Sequence, residues 1–389
     1  MPPQRSEALR LLADLIGFPT VTGTSNLDLI AYVEDVLAPL GARMTRTYDE
    51  DRNTANLLAT IGPNVDGGVV LSGHTDVVPA GEDGWTGAPF LAAQREGRIY
   101  GRGAVDMKGF IACALAMAPR FASADLPVPI HIALTFDEEI GCLGAPLLIG
   151  ELARTGPRPT AAIVGEPTSM GIVYAHKGCY EHTTTIVGVE GHGSAPDRGV
   201  NAVETAAAYI AHLGDLADHV RVHPPADSPF DPPGSTINVG TIEGGTARNV
   251  VSGRCTIEWE FRTASQGDAD AILATVAAYE EHLRAQLAAR DPAATIETAT
   301  VGSVGGLDPE PGSAAVALVR ELLGDEAGPL RTAAFSTEAG LYQAVGIPAV
   351  VCGPGSIDVA HRPDEYVELD QLDACLTMLD DLAGRLASV

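Results

Sequence analysis

Five separated segments of this 389-residue sequence end in side chains that bind borderline divalent metal ions. They are His74 in GHTDVVP, Asp106 in GRGAVDMKG, the pair Glu138 and Glu139 in FDEEIG, Glu166 in VGEPT and His361 in AHRPDEY. Two histidines and three or four carboxylates, with no thiolate among them, suit zinc, cobalt or manganese. A single ion with four protein ligands would be a closed structural site. Five or six ligands suit two ions about 3.5–4 Å apart that share a bridging carboxylate and a water. Asp106 is the expected bridge, being short and held by a glycine turn. Glu139 is the expected ligand of its pair and Glu138 the expected base, because an unligated carboxylate can take a proton from a water whose pKa falls from about 15.7 toward 7. Asp76 is expected to hold the His74 imidazole in one tautomer. This chemistry is amide hydrolysis, in which water attacks, the oxyanion is held, and the base passes its proton to the leaving amine. No GxSxG elbow and no catalytic cysteine arrangement competes for the nucleophile. Singly, each segment has a plain explanation, such as acids at a helix start or an acid before a proline in a turn. Five such residues at five strand ends call for a common one.

The elements that must position them are short apolar runs at 69–72, 99–100, 130–135, 161–164 and 349–352, each read as a strand leading into its ligand. Open α/β sheets bind ligands at the carboxyl ends of their strands. Helices are expected at the amino terminus, capped by Ser6, over 26–40 with Gly41 as its stop, from near Met107, and over about 142–154. GRGAVDMKG lacks the third glycine of a dinucleotide fingerprint. Between Glu166 and His361 the pattern changes to a strand at 179–189, a helix at 201–213, strands at 235–243 and 250–261, a helix at 268–289 and a strand at 294–301. This β-α-β-β-α-β order is the split ferredoxin-like unit. The chain therefore reads as an α/β catalytic domain in two parts, 1–178 and 303–389, with an inserted α+β domain over 179–302. The insert carries GHGSAP, with His192 in a glycine-rich loop.

The formal charge of −27 repels phosphate backbones and anionic lipid, so neither nucleic acid nor membrane is an expected partner. Of 24 basic residues only Lys108 and Lys177 are lysines. Six cysteines without a CxxC pair read as reduced, buried thiols. No stretch reaches the roughly 18 unbroken apolar residues of a membrane span, and the expected location is the cytoplasm.

In order and in residue content, HTDVVP, GRGAVDMKG, DEEIG, GEPT and AHRPDEY resemble the M20 family of dinuclear metallohydrolases over nearly the whole chain. The resemblance implies a mixed-sheet, dinuclear-metal peptidase-like domain. It implies two divalent ions, zinc first with cobalt or manganese as alternatives, held by His74, Asp106 (bridging), Glu139, Glu166 and His361. Glu138 is then the base and Asp76 the support of His74. It also implies a homodimer formed through the inserted domain, with His192 reaching the partner's site to steady the oxyanion. In GGTARNVVS, Asn249 stands where the family places an asparagine near substrate, and Arg262 matches a family arginine, although the proline common after it is absent from FRTAS. The run FSTEAGLYQAVGIPAVVCGPGSI (335–357) is most similar to the acetylornithine deacetylase branch. The expected substrate is an N-acylated amino acid, N2-acetylornithine first. Other acyl-amino acids, succinyl-diaminopimelate and peptides are alternatives. Glu338, in place of the Asp-Gly-Arg run of desuccinylase-like relatives, is expected to favour a cationic side chain, unless it serves the start of a helix capped by Ser336.

Overall fold

The computed structural model describes residues 3–388 apart from Arg52 and Glu82. Its strands in chain order are β1 (Arg43–Tyr48), β2 (Ala55–Ile61), β3 (Val69–His74), β4 (Ala93–Arg95), β5 (Arg98–Tyr100), β6 (Ile130–Thr135), β7 (Ala161–Val164) and β8 (Val173–His176). They continue as β9 (Gly178–Val187), β10 (Gly191–His192), β11 (Thr236–Gly244), β12 (Val250–Val251), β13 (Arg254–Thr263), β14 (Thr295–Val304), β15 (Arg331–Ala333), β16 (Ala349–Val351) and β17 (Tyr366–Glu368). The chain divides into two compact units. One comprises Met1–Ala175, Pro309–Thr332 and Thr337–Val389, the other His176–Asp308 and Ala333–Ser336.

The first unit is built on a mixed sheet of order β1-β2-β6-β3-β7-β16-β8-β15, with a small sheet β17-β5-β4 beside it. The runs VVLSGH, IHIALT and AAIV are buried along their whole length, which only a sheet covered on both faces permits. Leu57, Ala59, Val69, Leu71, Ile130, Ile132, Leu134, Ala161 and Ile163 share one core with the helices Pro3–Ile16, Leu27–Leu37, Gly109–Ser123 and Leu369–Ala387. Alternate residues of the same strands, including Ser72, His131 and Thr135, are polar yet buried. The central strands β6, β3, β7 and β16 run parallel, with Val69 opposite both Ile130 and Ala161, and Ala349 opposite Ala162. That register brings four carboxyl ends to one edge, and the ligand-type residues follow them.

Local differences from the sequence reading have local causes. Ser6 lies inside the helix Pro3–Ile16 and does not cap it. The helix expected from Met107 begins at Gly109, because Asp106 (φ −122°, ψ 93°) and Met107 (φ −130°, ψ 34°) are not helical. Helix Leu27–Leu37 passes through a short 3₁₀ turn to Gly41, whose φ of +71° suits glycine.

The second unit is an antiparallel sheet of order β11-β13-β9-β14, packed on the helices Ala202–Val222 and Gln266–Arg290. Its sheet order, with the first and third long strands at the centre, is the ferredoxin-like one. The strand read over 250–261 is broken at Ser252 and Gly253. Val250–Val251 leaves the sheet to pair with Gly191–His192. β11 is an open edge, and most of its residues are exposed.

Candidate metal centre

β3 ends on His74, and the loop after β6 carries Glu138 and Glu139. Glu166 lies two residues past β7. Gly165 precedes it because any β-carbon there would sit 2.0 Å from the Phe110 ring. Asp106 arrives from outside the large sheet, on the turn after β5, and His361 on the turn after β16. These side chains converge. His74 Nε2 lies 3.0 Å from Asp106 Oδ1 and 3.6 Å from Glu166 Oε1. His361 Nε2 lies 3.1 Å from Asp106 Oδ2 and 3.0 Å from Glu139 Oε2. Each oxygen of Asp106 thus faces a different histidine. Ligand atoms of His74, Asp106 and Glu139, and of His74, Glu138 and Glu166, lie within 4.8 Å of one another.

The surrounding contacts explain how the main chain is held. His74 Nδ1 bonds the main-chain carbonyl of Asp76 at 2.9 Å, while the Asp76 carboxylate stands 3.6 Å from that nitrogen. The Asp76 backbone thus bonds the imidazole, with its carboxylate within ion-pair distance of the same nitrogen. That carboxylate also accepts the amides of Glu138 (3.1 Å) and Glu139 (3.2 Å). A second carboxylate does the same for Asp106. Glu365 Oε1 accepts the amides of Val105 (3.0 Å) and Asp106 (3.2 Å), and Oε2 meets Arg102 Nη1 at 2.7 Å. Both Glu365 and Arg102 are buried. Arg102 also donates to the carbonyls of Arg362 and Pro79 and lies over the Trp85 ring. Lys108 Nζ ties the same turn to the carbonyls of Leu15 and Phe18, and burial pushes its ammonium down to about 7.

The charge balance of the cluster fits divalent cations. Burial raises Glu138, Glu139 and Glu166 above the usual carboxylate range, and neighbouring acids raise them further. Burial would raise Asp106 too, but His361 and His74 hold it low. His361 is pushed up to about 10 by its contacts with Asp106 and Glu139. Burial opposes protonation of His74, yet Asp106, Glu166 and Asp76 together raise it well above its ordinary value. Buried carboxylates sharing two histidines in this way lack positive charge, and a hard or borderline cation among them would supply it.

The remaining expected residues fall in three places. His192 is exposed, and its Nδ1 lies 2.7 Å from Ser194 Oγ and 3.2 Å from the Ser194 amide, so Nδ1 is turned to its own loop. Asn249 is its neighbour, since its carbonyl accepts the Gly193 amide at 2.7 Å and Val250 pairs with His192. Arg262 lies elsewhere on the second unit, ion-paired with Glu260 at 2.7 Å and close to Cys179 and Glu181. Glu338 is 1% exposed and turned into the first unit. Its carboxylate accepts from the hydroxyls of Ser72 (3.0 Å) and Thr135. Ser336 does not cap the helix Ala339–Ala344, as Thr337 Oγ1 accepts the Ala339 amide. Sequence reasoning missed Arg102, Glu365 and Cys142. The first two are joined across 263 positions, for which no spacing rule exists.

With this geometry in place, comparisons with known proteins are informative. The profile of peptidase family M20/M25/M40 matches residues 70–385. Acetylornithine deacetylase of Proteus mirabilis is 35% identical over 97% of this chain and 95% of its own length. Among solved structures, an M20 family metallo-carboxypeptidase of Sulfolobus solfataricus superposes with a TM-score of 0.76 at 18% identity, covering 98% of this chain and 100% of its own. A dinuclear metal-binding M20 family peptidase of Bacillus subtilis gives 0.66 at 16% identity, covering 99% of each chain.

Proposed function

The chain belongs to peptidase family M20/M25/M40 and is a metal-dependent hydrolase, and we propose that it removes the acetyl group from N2-acetylornithine, giving ornithine and acetate. The observation that carries the two-metal reading is Asp106, whose oxygens face His74 and His361 at 3.0 and 3.1 Å. His74 with Glu166 would hold one ion and His361 with Glu139 the other, and Asp106 would bridge them. Zinc is the proposed metal, for which imidazole and carboxylate are ordinary ligands. When bound, such a pair supplies a polarised amide carbonyl and a water acidic enough to ionise near neutral pH.

The chain's own residues do the rest. Glu138, unligated and beside the cluster, takes the proton from the attacking water and returns it to the departing amine. Asp76 holds the main chain of Glu138 and Glu139 by accepting both amides. His192, whose Nδ1 faces Ser194, is the proposed donor to the oxyanion through Nε2, and Asn249 beside it is the proposed contact to substrate. The family resemblance supports a homodimer through the second unit in which His192 serves the partner's site, and the exposed β11 edge is suited to pairing. Arg262 is proposed as a carboxylate anchor, in competition with Glu260, and Glu338 as a contributor to substrate preference from behind β3 and β6. Among the described residues no helix is long and apolar enough to cross a membrane.

The test is acetate release from a panel of N-acetyl amino acids, N-succinyl-diaminopimelate and dipeptides, with metal counted per chain. Two equivalents of metal, loss of turnover on chelation, recovery with zinc and fastest hydrolysis of N2-acetylornithine are expected. Faster turnover of a dipeptide or succinyl substrate would assign the chain to that branch of the family.

A further inference from the structure

Between β6 and the helix Ala145–Thr155 the chain turns sharply, and the turn is pinned from several sides. Asp76 holds the amides of Glu138 and Glu139. Asn56 bonds the Phe136 amide and the Gly144 carbonyl, and the amides of Gly141 and Cys142 both donate to the Glu138 carbonyl at 2.9 Å. Cys142 is 2% exposed and has a φ of +55°, a backbone conformation that any residue with a β-carbon adopts at a cost. Glycine would fill this turn without strain, so the side chain needs a reason to be there. Its reason is contact: Cys142 Sγ lies 3.4 Å from Glu138 Oε1 and donates to it. Asp76 fixes the main chain of Glu138 but does not touch its carboxylate.

We propose that Cys142 is a positioning residue, whose thiol holds the Glu138 carboxylate in the orientation from which it accepts the proton of the attacking water. The proposal rests on Glu138 being the base. A thiol suits the task because it is a weak, neutral donor. It restrains the rotation of the carboxylate without withdrawing much of its electron density. A lysine or arginine there would orient Glu138 equally well and remove its basicity. Burial, followed by the charge of Glu138, pushes the thiol well above its ordinary range, so it remains S–H and a donor.

The experiment compares Cys142→Ala and Cys142→Ser, alone and combined with Glu138→Gln, on the N-acetyl amino acid that the wild-type enzyme hydrolyses fastest. Alanine and serine both carry a β-carbon at the same φ, so their difference isolates the donor. Expected for Cys142→Ala is a kcat about five- to tenfold lower, with KM, metal content and Tm unchanged, in line with the loss of one modest hydrogen bond. Serine restores at least half of the lost rate. In Glu138→Gln, Cys142→Ala has no further effect, because there is no base left to aim. Equal rates for the alanine variant and wild type overturn the proposal, as does a loss accompanied by a lower Tm that serine does not rescue. A Glu138→Gln enzyme with near-normal turnover instead overturns the reading of Glu138 on which the proposal stands.

Discussion

Replacing Glu365 by glutamine removes one charge and almost no volume, which makes it a sharp test of how the Asp106 turn is held. Glutamine retains an oxygen for the amides of Val105 and Asp106. It leaves the Arg102 guanidinium, 2% exposed, without its anionic partner. What remains for Arg102 is two carbonyls at 3.3 and 3.4 Å and the Trp85 ring, while its Nε has no hydrogen-bond partner among the described residues. Breaking a buried ion pair from one side costs about 3–5 kcal/mol. In a unit of this size each kcal/mol lowers Tm by roughly 2–4 °C, so a fall on the order of 10 °C is expected by differential scanning calorimetry. Metal content is expected to fall as well, because Glu365 fixes the Asp106 amide and holds Arg102, which bonds the Arg362 carbonyl next to His361. Adding Arg102→Met to Glu365→Gln should recover much of the Tm, since the stranded charge is gone. A Glu365→Gln protein melting within about 2 °C of wild type would refute the reasoning, for it would mean that Arg102 finds water and the pair is not desolvated in solution.

Glu138→Gln should retain both metals and lose about 10²–10⁴ in kcat, because an amide can bond the water yet cannot take its proton. Metal analysis beside acetate release checks both halves. His192→Ala should lower kcat by about 10²–10³ with metal content unchanged. Mixed with Glu138→Gln protein under conditions of subunit exchange, it should regain activity if His192 acts on the partner's site, and exchange without recovery excludes that route. Burial pushes His131 and His176 down to about 4, whereas the unfolded chain binds these protons near 6.5. Each therefore contributes stability that is complete above about pH 6.5 and lost as pH falls toward 4, by up to about 3 kcal/mol. Tm should drop between pH 7 and pH 5, less steeply in His131→Gln, and an identical slope in that variant would remove His131 as a cause.

The fold was legible wherever periodicity had one interpretation. IHIALT and AAIV are too short and too apolar to be anything but strands covered on both faces, and the structure places them at 130–135 and 161–164. The β-α-β-β-α-β order of the second unit could be read because its strands alternate, as in the burial of every second residue along β13. The breaks were less legible. Ser252-Gly253 is a local turn signal that a strand read over 250–261 runs through, and the pairing of Val250–Val251 with Gly191–His192 shows where the chain goes instead. Ligand-type residues stood out because each follows an apolar run. Their supports did not, because the support is long-range and its chemistry is ambiguous. Asp76 sits two residues from His74 and invites the reading of a histidine partner. Its carboxylate reaches across 62 positions to a different backbone. Glu338 reads as an acid for a cationic substrate side chain or as a helix-start acid, and nothing local reveals that Ser72 and Thr135 draw it inward.

Asp76 and Glu365 have the same job on two different turns of the centre. Each is a buried carboxylate that accepts two successive main-chain amides, Glu138 and Glu139 in one case, Val105 and Asp106 in the other. A carboxylate used this way sets backbone direction more firmly than a neutral acceptor, since charge-assisted bonds are roughly twice as strong. It also adds negative charge beside side chains that are themselves acidic and buried. Of the two, only Glu365 has an arginine against it among the described residues. The remaining excess falls on Asp76, Asp106, Glu138, Glu139 and Glu166, faced by two histidines. An arrangement that fixes its ligands with further anions is stable only with cations present. Metal removal should therefore lower the stability of the first unit as well as abolish turnover, by an amount that grows with free metal concentration as binding linkage requires.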